Sequence, residues 1–466
     1  MLDDSKLTFD TRCLHSGQKP EAHGSSRAVP IYQTTSYVFE NTAHAAALFN
    51  LEEFGNIYSR MSNPTVTVFE DRMAALEGGA AAIATASGQA AQLVTAVSLC
   101  EAGDEFVAAT TLYGGTFTQF DATLRRFGIT PHFVEPDDPE NFRKAITPKT
   151  RFLYGETIAN PRMNVLDIAA VAQIANEARI PLIVDNTFAS PFLCRPIEYG
   201  AHIVVQSATK FIGGHGTSLG GVIVDSGKFP WREADSPQMN GPSRGYHGMR
   251  FSEKFGNLAF LTKCRIEGLR DLGPCMSPFN AFMLLQGLET LPLRMRKHSE
   301  NALALAEYLE RHPLVAWVKY PGLRSSPYFF LAEKYLRNGA GAVLTFGIKG
   351  GFEAASAFID NVQVFSHLAN IGDAKSLVLH PASTTHQQLP PADLAMAGIT
   401  DDMIRVSVGL EGIEDLICDV EQALEISKNP RAARQRRRDY MKQKVREVLD
   451  GEYRRWADVR PQKVSN

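Results

Sequence analysis

Short apolar segments alternate with helix-forming segments between about residues 70 and 285, and this alternation restricts the possible folds most strongly. Strand-like runs occupy 80–86, 105–109, 151–154, 181–184 and 203–205, and helical patterns lie between them at 89–99, 117–127 and 166–178. Strands that are joined through helices need crossover connections, which build a mainly parallel sheet. The pattern therefore predicts an α/β fold whose ligand binds beyond the carboxyl ends of the strands.

Two regions differ from this predicted large domain at 71–285. Residues 1–70 contain few long periodic segments, and we interpret them as an N-terminal arm. Residues 227–273 form a polar insertion that carries glycine and proline and has no assigned role.

A smaller domain is predicted at 286–466. A long helical run from 278 to about 311 leads into it, and strand patterns follow at 343–346 and 403–408, which indicates a second α/β unit. The segment 429–450 has a basic cluster followed by acidic residues, so we expect a charged, solvated helical tail and no nucleic-acid site.

The composition argues against several classes of protein. The formal net charge of −3 over 466 residues gives no electrostatic reason to expect nucleic acid or an anionic membrane as a partner. No apolar run is long enough to cross a bilayer, and the N-terminus lacks the basic-then-apolar order of a signal peptide. The six cysteines have no CxxC spacing, which argues against a disulfide framework and structural zinc. We therefore expect a cytoplasmic protein without a metal site.

A lysine follows the predicted strand at 203–205. Lys210 is preceded by Ser207 and Thr209 and is followed by several glycines. Burying a lysine is unfavourable unless it is paired or chemically used, and a desolvated lysine loses its proton and can attack carbonyls. The two hydroxyl residues could donate hydrogen bonds to a phosphate. The alternative is a glycine-rich surface loop with a solvated lysine. His215, five residues after Lys210, could be a base, but a structural hydrogen bond is the role we expect for it.

Two other strand ends carry residues suited to a charged, planar ligand. Asp185 ends a buried strand, where a carboxylate could pair with a protonated pyridine nitrogen, although a helix-capping aspartate is equally possible. Ser87, Gly88 and Gln89 lie at a strand-to-helix turn, where free N–H groups and the helix dipole favour a phosphate. The alternative for this turn is an ordinary capped helix.

Tyr113 and Arg405 are the remaining candidates for ligand contacts. Tyr113 follows a predicted strand, where its ring could stack on a flat cofactor or simply pack in the core. Arg405 has apolar neighbours in a strand pattern. A buried arginine usually holds an anion, so Arg405 could bind a substrate carboxylate, with an internal salt bridge as the alternative.

Taken together, these residues resemble the Cys/Met-metabolism family of pyridoxal-phosphate (PLP) enzymes, over residues 27 to about 423. The resemblance is carried by seven motifs: Ser-Ala-Thr-Lys210, Ala-Ser87-Gly88-Gln89, Val-Asp185-Asn-Thr187-Phe, Asn160-Pro161, Tyr58-Ser-Arg60, the run that starts at Arg405, and Ser376-Leu377. It implies the aspartate-aminotransferase-like fold of PLP enzymes, called fold type I, and PLP as the cofactor.

The resemblance also implies roles for individual residues. The implied catalytic residues are Lys210, Tyr113 and Asp185. The implied PLP-binding residues are Ser87, Gly88, Gln89, Tyr113, Asn160, Asp185, Thr187, Ser207, Thr209 and Lys210, together with Tyr58 and Arg60 reaching from a neighbouring subunit. The implied substrate-binding residues are Arg405, Ser376, Asn160 and Tyr58. Sharing of sites between subunits implies a homotetramer that is made of two dimers.

The implied activity is replacement at Cγ of O-acetyl-L-homoserine by sulfide or a small thiol. Sister activities of the family remain alternatives: cystathionine formation, use of O-succinylhomoserine, and γ-elimination. Methionine γ-lyases of the family carry a cysteine where this chain has Gly115, which disfavours elimination. Two roles outside these activities also stay open, namely transfer of sulfur from a carrier protein and regulation by a non-catalytic descendant of the fold.

Overall fold

Two β-sheets organise the protein. The computed structural model describes residues 6–232, 236–384 and 398–430, with residues 439, 442, 443, 445 and 446 of the C-terminal segment. In chain order, the strands of the larger sheet are β1 (Ala81–Thr85), β2 (Glu105–Ala109), β3 (Thr130–Val134), β4 (Thr150–Glu156), β5 (Leu182–Asp185), β6 (Ile203–Gln206) and β7 (Gly221–Asp225). Their order across the sheet is β1-β7-β6-β5-β4-β2-β3.

The larger sheet is parallel apart from β7. This strand pairs antiparallel with both β1 and β6, whereas β2, β3, β4, β5 and β6 pair parallel with one another. The carboxyl ends of the parallel strands therefore meet at one edge. The loop from β6 to β7, which contains Lys210, lies at that edge, and the predicted mainly parallel sheet is confirmed.

Two strands of this sheet were missing from the sequence interpretation. β3 lies at the edge of the sheet and most of its residues are only partly buried, so no apolar run marks it. β7 is fully buried, but it follows the glycine-rich segment directly, and its first glycine was assigned to the loop.

Helices cover both sheets. In chain order they are α1 (Phe9–His15), α2 (Thr42–Phe49), α3 (Pro64–Glu77), α4 (Gly88–Leu99), α5 (Gly114–Thr118), α6 (Glu140–Ala145), α7 (Ile168–Glu177), α8 (Ser190–Leu193), α9 (Pro237–Asn240), α10 (Phe251–Phe255), α11 (Ala259–Lys263), α12 (Pro278–Glu289), α13 (Leu291–Arg311), α14 (Phe329–Tyr335), α15 (Gly351–Ile359) and α16 (Ile413–Ser427). Two π-helical segments, Gln119–Leu124 and Cys264–Leu272, continue α5 and α11. Short 3₁₀ turns occur at Pro20–His23, Pro196–Tyr199, Gly256–Leu258 and Pro381–Ser383.

The smaller sheet is built from the C-terminal part of the chain. Its strands are β8 (Val315–Lys319), β9 (Val343–Ile348), β10 (Ser366–His367), β11 (Leu377–Leu379) and β12 (Met403–Ser407), in the order β10-β11-β12-β9-β8. β10 and β11 are parallel and the other neighbours are antiparallel. Arg405 lies in the central strand β12.

The hydrophobic side chains form two core clusters, one on each sheet. The first turns of α13 contribute Leu291 and Met295 to the larger core, and its later turns contribute Leu305 and Leu309 to the smaller one. The long helical run expected from 278 is interrupted at Thr290, because Pro292 has no N–H to donate to the preceding turn. The domain boundaries at 70 and 285 stay predictions.

The insertion at 227–273 is largely helical where it is described, with α9, α10, α11 and the π-helical segment after them. Most of the charged tail predicted at 429–450 lies outside the described residues. Within the described part of the chain, no helix combines the length and the apolar character needed to span a membrane.

Candidate active site

A cavity of about 220 Å³ lies between the carboxyl edge of the larger sheet and the smaller sheet. The larger sheet and its loops supply most of its wall, and the loop between β10 and β11, with β12, supplies the rest. The sequence-predicted residues that line it are Ser87, Gly88, Gln89, Tyr113, Asn160, Asp185, Thr187, Ser207, Thr209, Lys210 and Arg405. Residues far apart in the chain thus meet at one cavity.

Lys210 is held on a rigid turn. The Thr209 hydroxyl donates to the carbonyl of Gly220 at 3.2 Å and accepts the Gly220 N–H at 3.0 Å, which ties together the two ends of the loop between β6 and β7. The lysine Nζ donates to Oδ1 of Asn370 at 2.6 Å. The pKa of Lys210 is lowered from 10.5 to about 8, mainly by burial and to a smaller extent by the positive charge of Arg405. An amine with this pKa is partly neutral near pH 8 and can act as a nucleophile or a base.

Asp185 is a buried carboxylate with three hydrogen-bond donors. Oδ2 accepts from Gln92 at 3.0 Å and from the Tyr154 hydroxyl at 3.4 Å, and Oδ1 accepts from the backbone N–H of Thr187 at 2.9 Å. Burial raises its pKa, and the hydrogen bonds oppose that effect. Within the described residues no basic side chain pairs with it. A protonated ring nitrogen would supply the missing positive partner.

A turn suited to an anion lies beside the lysine loop. The Ser87 side chain accepts the N–H of Ala90 at 3.2 Å and caps α4, so its hydroxyl hydrogen is free to point outward. The N–H groups of Gly88 and Gln89, in the first turn, have no partner inside the helix. A Cβ on Gly88 would lie 2.7 Å from Cβ of Ser207, so only glycine permits this approach.

Hydrogen bonds under the sheet edge support these positions. The backbone N–H of Ser207 donates to the Thr187 hydroxyl at 2.8 Å, which joins the loop after β5 to the loop after β6. Below them, Asn186 and Gln206 both donate to Oε1 of Glu77, which is fully buried. Burial raises the pKa of Glu77 from 4.5 to about 8.

Arg405 is buried, with 6% of its surface exposed. Its Nη1 donates to Oδ1 of Asn160 at 3.2 Å, and its Nη2 donates to the backbone carbonyl of Asn370 at 3.3 Å. Burial lowers its pKa from 12.5 to about 10. No carboxylate among the described residues forms an ion pair with it, which leaves it available for a ligand carboxylate.

Tyr113 precedes α5 and is 45% exposed at the cavity. Its backbone N–H donates to Oε1 of Glu156 at 2.7 Å. A Cβ on Gly115 would lie 2.5 Å from Cε1 of the Tyr113 ring, so a side chain at position 115 would collide with the ring where it now lies.

Other sequence-predicted residues lie outside the cavity lining. The Ser376 hydroxyl donates to Glu411 at 2.9 Å and accepts from the N–H of Gly409 at 2.8 Å, and Ser376 is not among the residues that line the cavity. Its contact with the substrate stays a prediction. Tyr58 and Arg60 lie on the arm, where the guanidinium lies 5.2 Å from the tyrosine ring centre and both side chains are exposed. His215 hydrogen-bonds the carbonyl of Gly213 at 2.7 Å, in the structural role expected for it.

Sequence reasoning missed three polar residues that line the cavity: Gln92, Glu156 and Asn370. Gln92 lies one helical turn after the phosphate-type turn, a spacing that places it on the same face of α4. Glu156 belongs to a strand that was taken to end at 154. Asn370 lies in a loop with no strand signal.

The arrangement fits PLP in four respects. An amine of lowered pKa is present for the aldehyde, and a buried carboxylate with no positive partner is present for the ring nitrogen. A helix start with nearby hydroxyl groups suits the phosphate. A tyrosine ring at the cavity suits the face of the pyridine ring.

Comparison with known proteins agrees with the features of the cavity that fit PLP. The family described as Cys/Met metabolism PLP-dependent enzyme matches residues 10–425. The chain is 54% identical over 424 residues to O-acetyl-L-homoserine sulfhydrylase of Leptospira meyeri, covering 89% of this chain and 96% of the relative. It is also 54% identical over 422 residues to homocysteine synthase of Schizosaccharomyces pombe, covering 90% and 98%.

A solved structure shares this fold. A crystal structure from Campylobacter jejuni, described as an O-acetylhomoserine (thiol)-lyase with N'-pyridoxyl-lysine-5'-monophosphate, is 42% identical with a TM-score of 0.88. The match covers 90% of this chain and all of the other. The predicted fold type I and PLP as cofactor are therefore confirmed.

Proposed function

Because the chain belongs to the Cys/Met-metabolism family of PLP-dependent enzymes, we propose that it replaces the acetoxy group of O-acetyl-L-homoserine with sulfide or a small thiol. The products are acetate and L-homocysteine, or methionine when methanethiol is the nucleophile. The observation that carries the proposal is the meeting of Lys210, Asp185 and Arg405 at one cavity, in a chain more than half identical to sulfhydrylases and homocysteine synthases.

Residues of the larger sheet and its loops would hold the cofactor. Lys210 would join the aldehyde carbon, and Asp185 would keep the ring nitrogen protonated. Ser87, Gly88 and Ser207 would bind the phosphate through hydroxyl and backbone N–H groups. When bound, PLP supplies an electron sink that makes the Cα proton of an amino acid acidic.

Lys210 would then move the protons of the reaction. When the substrate amine takes its place at the aldehyde, its Nζ would be free to take the proton from Cα and, after passing that proton on, to assist removal of one from Cβ, so that acetate could leave Cγ. Both carbons would regain a proton after the nucleophile has added at Cγ. Its lowered pKa suits this task, since a base works best when its pKa is close to the working pH. The Asn370 amide oxygen would hold the free amine in place.

Arg405 would fix the substrate carboxylate, with Asn160 as its neighbour. Holding the carboxylate sets the rotation of the amino acid about its Cα–N bond, and therefore which Cα bond is aligned for cleavage. Ser376 supports this wall indirectly through Glu411 and Gly409.

The active unit would be a homotetramer made of two dimers, acting in the cytoplasm. Tyr58 and Arg60 lie on the arm, exposed and outside the lining of the cavity in their own chain. We infer that they complete the phosphate site of a neighbouring subunit. No nucleic acid or membrane is required as a partner.

A substrate panel tests the proposal. Purified protein with PLP would be offered O-acetyl- or O-succinyl-L-homoserine, each with sulfide, with cysteine, or without a nucleophile. We expect homocysteine to form fastest from the acetyl ester and sulfide. Preference for the succinyl ester with cysteine would assign cystathionine formation, and 2-oxobutyrate without any nucleophile would assign γ-elimination.

A further inference from the structure

Glu156 is a buried carboxyl group at the cavity that has no role in the proton transfers described above. It ends β4 and pairs with Asp185 in the register of the sheet, so two acidic residues stand side by side at the carboxyl edge. Only 7% of Glu156 is exposed, and it lines the cavity.

Two separate loops are attached to this carboxyl group. Its Oε1 accepts the backbone N–H of Tyr113 at 2.7 Å, and the backbone N–H of Asn160 donates to the same carboxyl. Tyr113 follows β2, and Asn160 follows β4. The side chains of both residues reach the cavity, so one carboxyl group fixes the backbone beneath two ligand-facing side chains.

The two neighbouring acids differ in their surroundings. Asp185 accepts three hydrogen bonds and would face a protonated ring nitrogen. No cationic side chain among the described residues pairs with Glu156. Burial raises the pKa of Glu156 well above its usual range, the charge of Asp185 adds to this effect, and the N–H donors of Tyr113 and Asn160 oppose it only in part. Since two adjacent buried carboxylates repel each other, one negative charge at this pair is the stable arrangement.

We propose that Glu156 is a positioning residue that works as a neutral carboxylic acid: it anchors the loops of Tyr113 and Asn160 against bound PLP and leaves Asp185 as the one carboxylate at the ring nitrogen. The inference deepens the proposed function and rests on its PLP site, but it does not depend on which amino acid is the substrate.

Two substitutions separate a neutral anchor from a charged one. Glu156→Gln keeps the acceptor oxygen, the size and the neutrality, whereas Glu156→Ala removes the acceptor. Asp225→Asn is the matched control, because Asp225 is a buried acid of the same sheet whose Oδ1 accepts the N–H of Gly227, away from the cavity.

The first measurement is PLP affinity of the cofactor-free protein. We expect Glu156→Gln and Asp225→Asn to keep the Kd within about threefold, and Glu156→Ala to raise it roughly 10-fold or more, as expected when buried donors lose their acceptor. The visible circular dichroism of the bound cofactor should be preserved in Glu156→Gln and altered in Glu156→Ala, because the Tyr113 ring would shift. A stability defect alone would not change that spectrum.

The second measurement is infrared difference spectroscopy between the wild type and Glu156→Gln at pH 7, without cofactor. We expect the wild type to show the carbonyl stretch of a protonated carboxylic acid that the variant lacks. The proposal is overturned if that band is absent, if Glu156→Gln loses PLP as strongly as Glu156→Ala, or if Glu156→Ala binds PLP normally. Should Glu156→Ala fail to fold, the Glu156→Gln affinity and the infrared band still decide. These readouts need no amino-acid substrate, so a wrong substrate assignment would not affect them.

Discussion

The Nζ of Lys210 lies 2.6 Å from the side-chain oxygen of Asn370, and the backbone carbonyl of the same asparagine accepts a hydrogen bond from Arg405. Lys210 lies in a loop of the larger sheet, and Asn370 lies in a loop of the smaller one. A single residue of the smaller sheet therefore positions both the amine that would move protons and the guanidinium that would hold the substrate.

Asn370→Ala removes the acceptor of the Lys210 amine but keeps the backbone contact with Arg405. We expect kcat to fall roughly 10-fold, the effect of one lost hydrogen bond that orients a catalytic group, with little change in PLP affinity. Steady-state kinetics and PLP titration of the cofactor-free protein measure the two effects. Asn361→Ala, in the same part of the chain but outside the cavity lining, is the control. Unchanged kcat in Asn370→Ala would show that the amine is held by another group.

Capture of PLP by the cofactor-free protein should depend on pH through Lys210. Only the neutral amine attacks the aldehyde, so we expect the rate of colour formation to rise with pH, with a midpoint near the pKa of about 8. In Arg405→Ala the midpoint should move to a higher pH than in the wild type, because a positive charge that lowers the pKa of Lys210 is gone. Arg405→Lys keeps that charge, so its midpoint should stay below that of Arg405→Ala. Stopped-flow absorbance over a pH series measures both. An identical midpoint in all three proteins would contradict the electrostatic coupling.

Glu77 should make the stability of the cofactor-free protein depend on pH. Its folded-state pKa of about 8 lies above the ordinary value of 4.5, so its contribution is fully present below the lower value and is lost as pH rises towards the upper one. Between pH 5 and 7.5 the free energy of unfolding of the wild type should therefore fall as pH rises, by on the order of 1 kcal/mol per pH unit, and Glu77→Gln should remove this dependence. Urea unfolding at several pH values tests this, with exposed Glu253→Gln as the control. Parallel pH profiles for Glu77→Gln and the wild type would rule it out.

The proposed sharing of sites between subunits predicts complementation. Arg60→Ala and Lys210→Ala should each be nearly inactive alone, and Lys210→Ala should also lose the yellow colour of the lysine-linked cofactor. After unfolding and joint refolding, about a quarter of wild-type activity should return, since half of randomly paired dimers are hybrids and each hybrid has one intact site of two. Activity assays before and after mixing measure this. If refolded mixtures stay inactive, Arg60 acts within its own chain or not at all.

Gly115 should control the position of the Tyr113 ring. Gly115→Ala places a Cβ 2.5 Å from Cε1 of that ring, so the ring must move away from its present position. We expect an altered visible circular dichroism spectrum of the bound cofactor and roughly 10-fold lower kcat or more, as displacement of a residue that contacts the reacting groups commonly produces. Gly245→Ala is the control, because that position is exposed and nearly free of neighbours. Normal spectra in Gly115→Ala would show that the ring can adjust without consequence.

The residues found from sequence share one physical signal. Lys210, Asp185 and Arg405 are charged side chains placed in or directly after buried apolar strands, where burial is unfavourable without a ligand or partner. The alternation of strands and helices likewise follows from local hydrophobic patterns, so the parallel sheet was predictable.

The residues that sequence reasoning missed depend on tertiary structure. Asn370 lies in the loop between β10 and β11, and strands of two and three residues are too short for a hydrophobic pattern to mark them. Ser376, a serine in the same region, was chosen instead, and its side chain turns towards Glu411. The expected partners of Tyr58 and Arg60 belong to another copy of the chain, whose placement one sequence does not specify.

The two sheets supply different groups to the cavity. Lys210, Asp185 and the turn at Ser87 come from the larger sheet and its loops, whereas Arg405 and Asn370 come from the smaller sheet and its loop, with a core cluster of its own. We therefore expect substitutions confined to the smaller sheet to act mainly on which amino acid is accepted, and to reach the cofactor only through Lys210, which contacts Asn370 and lies near Arg405. Because of this separation, we expect substitutions in β10, β11 and β12 and their loops to be the ones that change substrate preference, in evolution or by design.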